Sequence, residues 1–122
     1  MEFNFNNDRP IYLQLAEQLE IFIISGKVKP GERLLSVREL AMQAQVNPNT
    51  MQRALVELEN HGLIYAERTS GRFITNDQKL LADYREKYAH TKAQQFYQEM
   101  EDLGFNKLDV VNHIIKEGGF NE

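Results

Sequence analysis

Two helix-start signals stand so close together that they dictate most of what this chain can fold into. Ser36 with Glu39 three residues on is a capping box, in which each side chain satisfies an orphan backbone N–H at the head of a helix. Asn47 followed by Pro48 is a second start, a good N-cap residue ahead of an imino acid suited to the first helical position. After the first signal the chain breaks at Gln45-Val46, so the first helix is short, with Val37, Leu40, Ala41 and Ala44 on one apolar face. The second helix repeats Met51, Ala54, Leu55 and Leu58 at helical spacing and stops at Gly62. Two short helices meeting through small residues form a helix-turn-helix pattern.

The flanking segments extend this pattern. Pro10 and Gly26 bracket an earlier helix whose core stripe is expected at Ile11, Leu15, Leu19 and Phe22, with Leu13, Ile21 and Ile24 outside it. "KPGERL" reads as a tight turn into a short extended piece. "LIYAERTSGRFIT" holds two runs of β-branched and aromatic residues around a glycine turn, a hairpin that would make the helix-turn-helix a winged one. Beyond Asn76-Asp77 the chain reads as helix to about Leu103, breaks at Gly104 and resumes as "KLDVVNHIIKE". The expected fold is therefore mainly α with a small β-hairpin. A winged helix-turn-helix domain occupies residues 1–76, and a C-terminal two-helix dimerisation region occupies 77–122.

The dimerisation reading comes from a rotated stripe. Leu80, Leu81, Tyr84 and Tyr88 share one side of the long helix, whereas Phe96, Tyr97, Met100 and Leu103 lie about 130° around it. Two partners explain the shift better than a kink near His90-Thr91: the first half packs on the body and the second on a dimer mate. Val111, Ile114 and Ile115 of the last helix are assigned to the same dimer face.

Composition excludes several classes. The 122 residues contain no cysteine, which removes disulfides and thiolate metal sites and suits a reducing compartment. "MEFNFNNDRP" does not resemble a signal peptide, and "IFII" is far too short to span a bilayer, so a cytoplasmic location and no membrane partner are expected. Net charge is −4, but its distribution is uneven. Seven Lys or Arg face five acids between Lys27 and Arg72, against six and nine from Asp77 onward. The three histidines at 61, 90 and 113 are widely spaced, and no phosphate loop or nucleophile elbow is present, so an enzyme is not expected.

Positive charge in the middle of the chain meets a polar helix start. Asn49, Gln52 and Arg53 lie opposite Met51, Leu55 and Leu58 on the helical wheel. The second helix of a helix-turn-helix enters the major groove N-terminus first. There Asn or Gln bonds adenine at two atoms and Arg does so to guanine. Arg38 at the first turn of the preceding helix opposes the dipole and is better explained by a phosphate or base than by stability. In the wing, Arg68 and Arg72 flank Gly71 in a manner suited to phosphate or minor groove.

The stretch from Pro10 to Thr75, with "KPGERL", "SVRELA", "VNPNTMQRALVELENHGLI" and "GRF" in that order, resembles the DNA-binding domain of GntR-family transcription regulators. The short two-helix tail looks like the YtrA-like subfamily. That resemblance implies a winged helix, a homodimer through the C-terminal helices, a double-stranded DNA operator as partner, and repression of operons that often encode ABC transporters. By position it puts DNA contacts on Arg38, Asn47, Asn49, Thr50, Gln52 and Arg53, with Pro48 able to touch only sugar or a thymine methyl. In the wing it puts them on Gly71 and Arg72. Leu35, Gln45 and Thr69 depart from the family's usual proline and two glycines, and a left-handed Gln45 would carry strain. No cofactor is expected. The C-terminal region is too small for an effector pocket of the usual ~300–1,000 Å³ within one subunit. Tyr84, Tyr88 and Tyr97 are expected to pack rather than bind a ligand, and a small-molecule effector remains an open question.

Overall fold

The structure, a computed structural model, describes residues 2–119. It contains α1 (Ile11–Ile24), α2 (Val37–Ala44), α3 (Pro48–Asn60), β1 (Ile64–Glu67), β2 (Gly71–Ile74), α4 (Gln78–Asp102) and α5 (Lys107–Gly118). The chain divides into two compact units, Met1–Arg85 and Glu86–Glu122. The division falls inside α4, because the first two turns of that helix pack on the winged domain. Leu81 is buried there, and the Arg85 Nε donates to the Ile24 carbonyl at 2.9 Å. The first compact unit thus runs past residue 76, the boundary expected from sequence.

The core of the first unit is built by α1 and α3 crossing in close contact, with α2 and the hairpin completing it. Leu15, Met51, Leu55, Leu58, Leu63 and Ile74 are fully buried. The buried stripe of α1 differs from the expected one. Leu15 and Leu19 are in place, but the third turn buries Ile23 and Ile24, while Phe22 is half-buried and Ile11 is 37% exposed. A step of four residues carries the stripe from Leu19 to Ile23, and α1 lies in a groove deep enough to take Ile24 as well. Gln14 and Glu20 are buried alongside.

Gln14 is buried because it serves the segment that precedes α1. Its Nε2 donates to the carbonyls of Asn6 and Arg9, and its Oε1 accepts from the Asn6 N–H at 3.0 Å. One turn on, Gln18 makes the same paired contact with the backbone of Asn4. Asn4 and Asn6, alternate residues of the extended segment, therefore dock on successive turns of the helix, and the intervening series, Phe3 and Phe5, stacks with its ring planes 10° apart.

The hairpin pairs Ile64 with Ile74 and Glu67 with Gly71, leaving Arg68, Thr69 and Ser70 as the turn. A third strip of backbone joins it. Leu34 N–H donates to the Arg72 carbonyl at 2.8 Å, and Ile74 N–H donates to that of Glu32 at 2.9 Å. The piece after the "KPG" turn is thus tied to β2 by an isolated antiparallel bridge between Arg33 and Phe73, beside a sheet of two strands.

In the second unit α4 continues without interruption through His90 and Thr91. Gly104, at φ 99°, lets the chain leave α4, and Asn106 with Asp109 forms a capping box that starts α5. Phe105 meets the His113 ring edge-on at 5.0 Å. Val110 is buried, whereas Phe96, Leu103, Leu108, Val111, Ile114 and Ile115 are exposed in the single chain. Among the described residues no helix is long and apolar enough to cross a membrane.

Candidate nucleic-acid interface

The turn between α2 and α3 sets the exit of the reading helix. Ser36 caps α2 as the sequence requires: its Oγ accepts from Glu39 N–H at 3.1 Å, and the Glu39 carboxylate accepts from Ser36 N–H at 3.2 Å. These contacts hold the Glu39 carboxyl below its ordinary range. At the other end Gln45 adopts φ 56° and ψ 46° and closes the helix by donating to the Ala41 and Met42 carbonyls. It is the one non-glycine residue with positive φ among those described. The left-handed turn expected where the family usually has glycine is present, and its cost on an L-residue is roughly 1–2 kcal/mol. Val46 N–H then donates to the Ala41 carbonyl at 3.0 Å and redirects the chain.

Asn47 caps α3, its Oδ1 accepting from Asn49 N–H at 2.7 Å, and Pro48 fills the first position. Only the Asn47 amide NH2 is left to point outward. Behind this start, Met51, Ala54, Leu55 and Leu58 are each no more than 1% exposed. Asn49, Gln52 and Arg53 are exposed on the other side and Thr50 is half-buried. The helix therefore presents amide and guanidinium donors on a rigid apolar base.

The two arginines expected to contact DNA from α3 and the wing have different surroundings. The Arg53 guanidinium carbon lies 3.9 Å from the centroid of the Tyr12 ring, stacked on its face. Arg72 turns away from the wing tip: its Nε donates to the Glu59 carboxylate at 2.6 Å, with both groups largely covered. Arg72 therefore ties β2 to the last turn of α3. Arg33 lies nearer the tip, its Nε 3.2 Å from where a Cβ on Gly71 would sit. Gly71 has φ 107°, so a side chain there would be strained by the backbone, and Arg33 would have to give way slightly to admit it. Thr69 keeps a negative φ, and the wing needs no glycine there. Arg33, Arg38 and Arg68 are exposed and form no salt bridge among the described residues.

Sequence reasoning did not single out Tyr12 or Arg33. Each reaches its partner only through the fold, Tyr12 across the α1–α3 contact and Arg33 across its isolated bridge to β2. The weak signal for Arg33 was its place in the basic middle of the chain. His61 is also better partnered than its isolation in sequence suggests. Its Nδ1 is 3.6 Å from the buried Glu20 and its Nε2 4.0 Å from Glu57, and its ring stacks with Tyr84. Burial, with Glu20 beside it, pushes the Tyr84 phenol up. Tyr84 thus packs at the end of α3, as expected, and Tyr97 donates its hydroxyl to Glu101 at 3.0 Å. No cluster of His, Asp and Glu able to hold a metal occurs among the described residues.

Comparison with known proteins matches this architecture closely. Residues 11–74 fit the family described as bacterial regulatory proteins, gntR family. The uncharacterized HTH-type transcriptional regulator YhcF of Bacillus subtilis is 35% identical over 121 residues, 98% of this chain and 100% of that one. The HTH-type transcriptional repressor YtrA of the same organism is 43% identical over 70 residues, 57% of this chain and 54% of that one. A GntR family transcriptional regulator from Listeria monocytogenes superposes with a TM-score of 0.84 at 37% identity, covering 92% of this chain and 98% of that one. The AraR DNA-binding domain in complex with operator ORX1 superposes with a TM-score of 0.56 at 28% identity, covering 62% of this chain and 96% of that one. A winged helix-turn-helix with short C-terminal helices, matched along its whole length by such regulators, is no enzyme: the chain belongs to the GntR family of bacterial transcriptional regulators, with YtrA-type proteins among its relatives.

Proposed function

We propose that this regulator acts in the cytoplasm as a homodimeric, sequence-specific repressor that binds a near-palindromic operator. The observation that carries the reading is the division of α3 into a fully buried apolar face and an exposed face of Asn49, Gln52 and Arg53 at its N-terminal end. In the major groove Asn49 and Gln52 suit adenine edges and Arg53 suits guanine. Thr50, Pro48 and the Asn47 amide lie close enough to the same end to meet sugar, phosphate or a thymine methyl. Arg38 at the head of α2, with Arg33, Arg68 and the Gly71 backbone in the wing, supplies phosphate contacts. Arg72 serves the wing from behind by fixing it to Glu59. A solved relative, the AraR DNA-binding domain, is in complex with an operator, which supports double-stranded DNA as the partner of this domain.

Dimer formation is supported by the second unit, where Phe96, Leu103, Val111, Ile114 and Ile115 are exposed, and Tyr97 and Met100 half-exposed, on helices that are otherwise polar. A two-fold dimer places half-site centres about 34–36 Å apart or a multiple of that. Repression is supported by the relative YtrA, a repressor by name, and an ABC-transporter operon as target is what the resemblance to the YtrA-like subfamily implies. Selection of bound duplexes from a random pool at near-physiological salt tests the reading. Enrichment of an inverted repeat is expected, and its genomic position would identify the controlled genes. A folded, dimeric protein that enriches nothing would sink the proposal.

A further inference from the structure

We propose that Tyr12 is a positioning residue of the DNA-reading surface: its ring holds the Arg53 guanidinium in one plane, so that Arg53 meets DNA with its donors already oriented. The inference rests on the reading of α3 as the DNA-binding helix. At 3.9 Å between the guanidinium carbon and the ring centroid, the two groups are in van der Waals contact, well inside the ~6 Å reach of a cation–π interaction. Tyr12 sits in the first turn of α1 and Arg53 in the second turn of α3. Buried residues flank both, Leu15 and Ala16 after the tyrosine and Met51, Ala54 and Leu55 around the arginine. The backbones that carry the pair are therefore fixed, and the stack fixes the side chain between them.

What a stack leaves free matters most here. A guanidinium carries five N–H donors in its plane, and all point outward from the rim. A carboxylate partner occupies some of those donors and neutralises the charge, as Glu59 does for Arg72. An aromatic face occupies the π-surface instead and leaves both the rim and the charge available. Arg53 has the second kind of partner and no salt bridge among the described residues. It is an arginine restrained without being consumed. Asn49 and Gln52, with short or flexible amides, gain no such support. The direction of Arg53, toward α1, assigns it to the side of the α3 footprint that α1 borders. Lysine would keep the charge but lack the planar fork that the ring aligns.

The experiment is an operator titration of the full chain and four variants at one salt concentration, with a thermal melt of each. Tyr12→Phe keeps the ring face and is expected to bind like wild type. Tyr12→Leu is expected to weaken specific binding by ~2- to 5-fold, the equivalent of one exposed cation–π contact. In an Arg53→Ala background, Tyr12→Leu is expected to cost nothing further. A loss as large with Ala at 53 as with Arg, or a Phe variant no better than Leu, would overturn the role. Should Tyr12→Leu unfold the protein, NMR of the wild type decides instead. Arg53 δ-protons shifted upfield by the ring, and lost in Arg53→Lys at the corresponding position, support the stack; unshifted protons refute it. Wild-type binding in the same titration separates the two claims. Wild type binding no sequence preferentially removes the reading of α3 together with the role of Tyr12. Selective wild-type binding that Tyr12→Leu leaves unchanged removes the role of Tyr12 alone.

Discussion

Leu55 and Ile115 occupy comparable places on amphipathic helices, yet the first is 1% exposed and the second 37%. The contrast holds for the units that contain them. In the first unit the inward faces of α2 and α3 are buried within the same chain, although Met42 and Val56 on their outer faces are exposed, and the polar atoms beneath are bonded. Among the described residues no buried side-chain nitrogen or oxygen lacks a partner. In the second unit α5 has a well-formed cap at each end, but only Val110 is buried. Local signals were enough to shape both helices, and only one has a complete core around it. Because a helix of this length draws most of its stability from packing its apolar face, α5 is the element whose stability depends most on the proposed dimer.

Core truncation should test that difference most severely. Leu55→Ala is expected to cost about 2–5 kcal/mol of unfolding free energy in a denaturant melt, whereas Ile115→Ala costs the monomer little. Similar losses at both positions would mean that α5 is packed within its own chain. Charge on the open face comes next. Val111→Glu with Ile115→Glu should convert a dimer to monomer in sedimentation and weaken operator binding by about 100-fold or more, because the two half-sites are then bound separately.

Within the closed unit the contrast narrows to Arg72 and Arg33. Arg72→Ala should lower stability by roughly 1 kcal/mol through loss of a largely covered ion pair to Glu59. Arg33→Ala should leave the melt unchanged and reduce the salt slope of DNA binding by about one, equally for all sequences. The reverse pattern would exchange their roles. Gln45→Gly removes the left-handed strain and should raise stability by roughly 0.5–1 kcal/mol. The smallest effect concerns acid. Folding depresses the Glu39 and Glu17 carboxyls, through Ser36 and Arg9 respectively. Their contribution is present above the ordinary glutamate value of about 4.3 and disappears as pH falls through the lower folded value. Glu39→Gln together with Glu17→Gln should flatten the acid limb of the stability curve.

What was legible in the sequence was what neighbours along the chain decide. The Ser36–Glu39 box, the Asn47 cap, Pro48 and the left-handed Gln45 are contacts within a few residues, and each appears where the pattern put it. The α1 stripe was less legible, since Phe22 and Ile23 are both apolar and only the shape of the groove chooses between them. The Arg72–Glu59 pair, the Arg33–Phe73 bridge and the Tyr12–Arg53 stack join residues that the chain brings together only after folding. In sequence both arginines point to DNA, Arg53 to a base edge and Arg72 to a phosphate or the minor groove. Their partners, an aromatic face for Arg53 and a carboxylate for Arg72, give them different roles.

The paired contacts of Gln14 and Gln18 have a consequence of measure. Four residues of helix advance about 6 Å and two residues of extended chain between about 6 and 7 Å, so the two repeats are nearly commensurate. The clasp reads only backbone groups, at positions 4, 6 and 9, and it is therefore indifferent to which side chains stand there. It is not indifferent to their number. One residue inserted between Asn4 and Asn6 would still find amides for both glutamines, but it would turn Phe3 to the opposite side from Phe5. The segment is a ruler whose markings are spacing, and it will tolerate rewriting far better than lengthening.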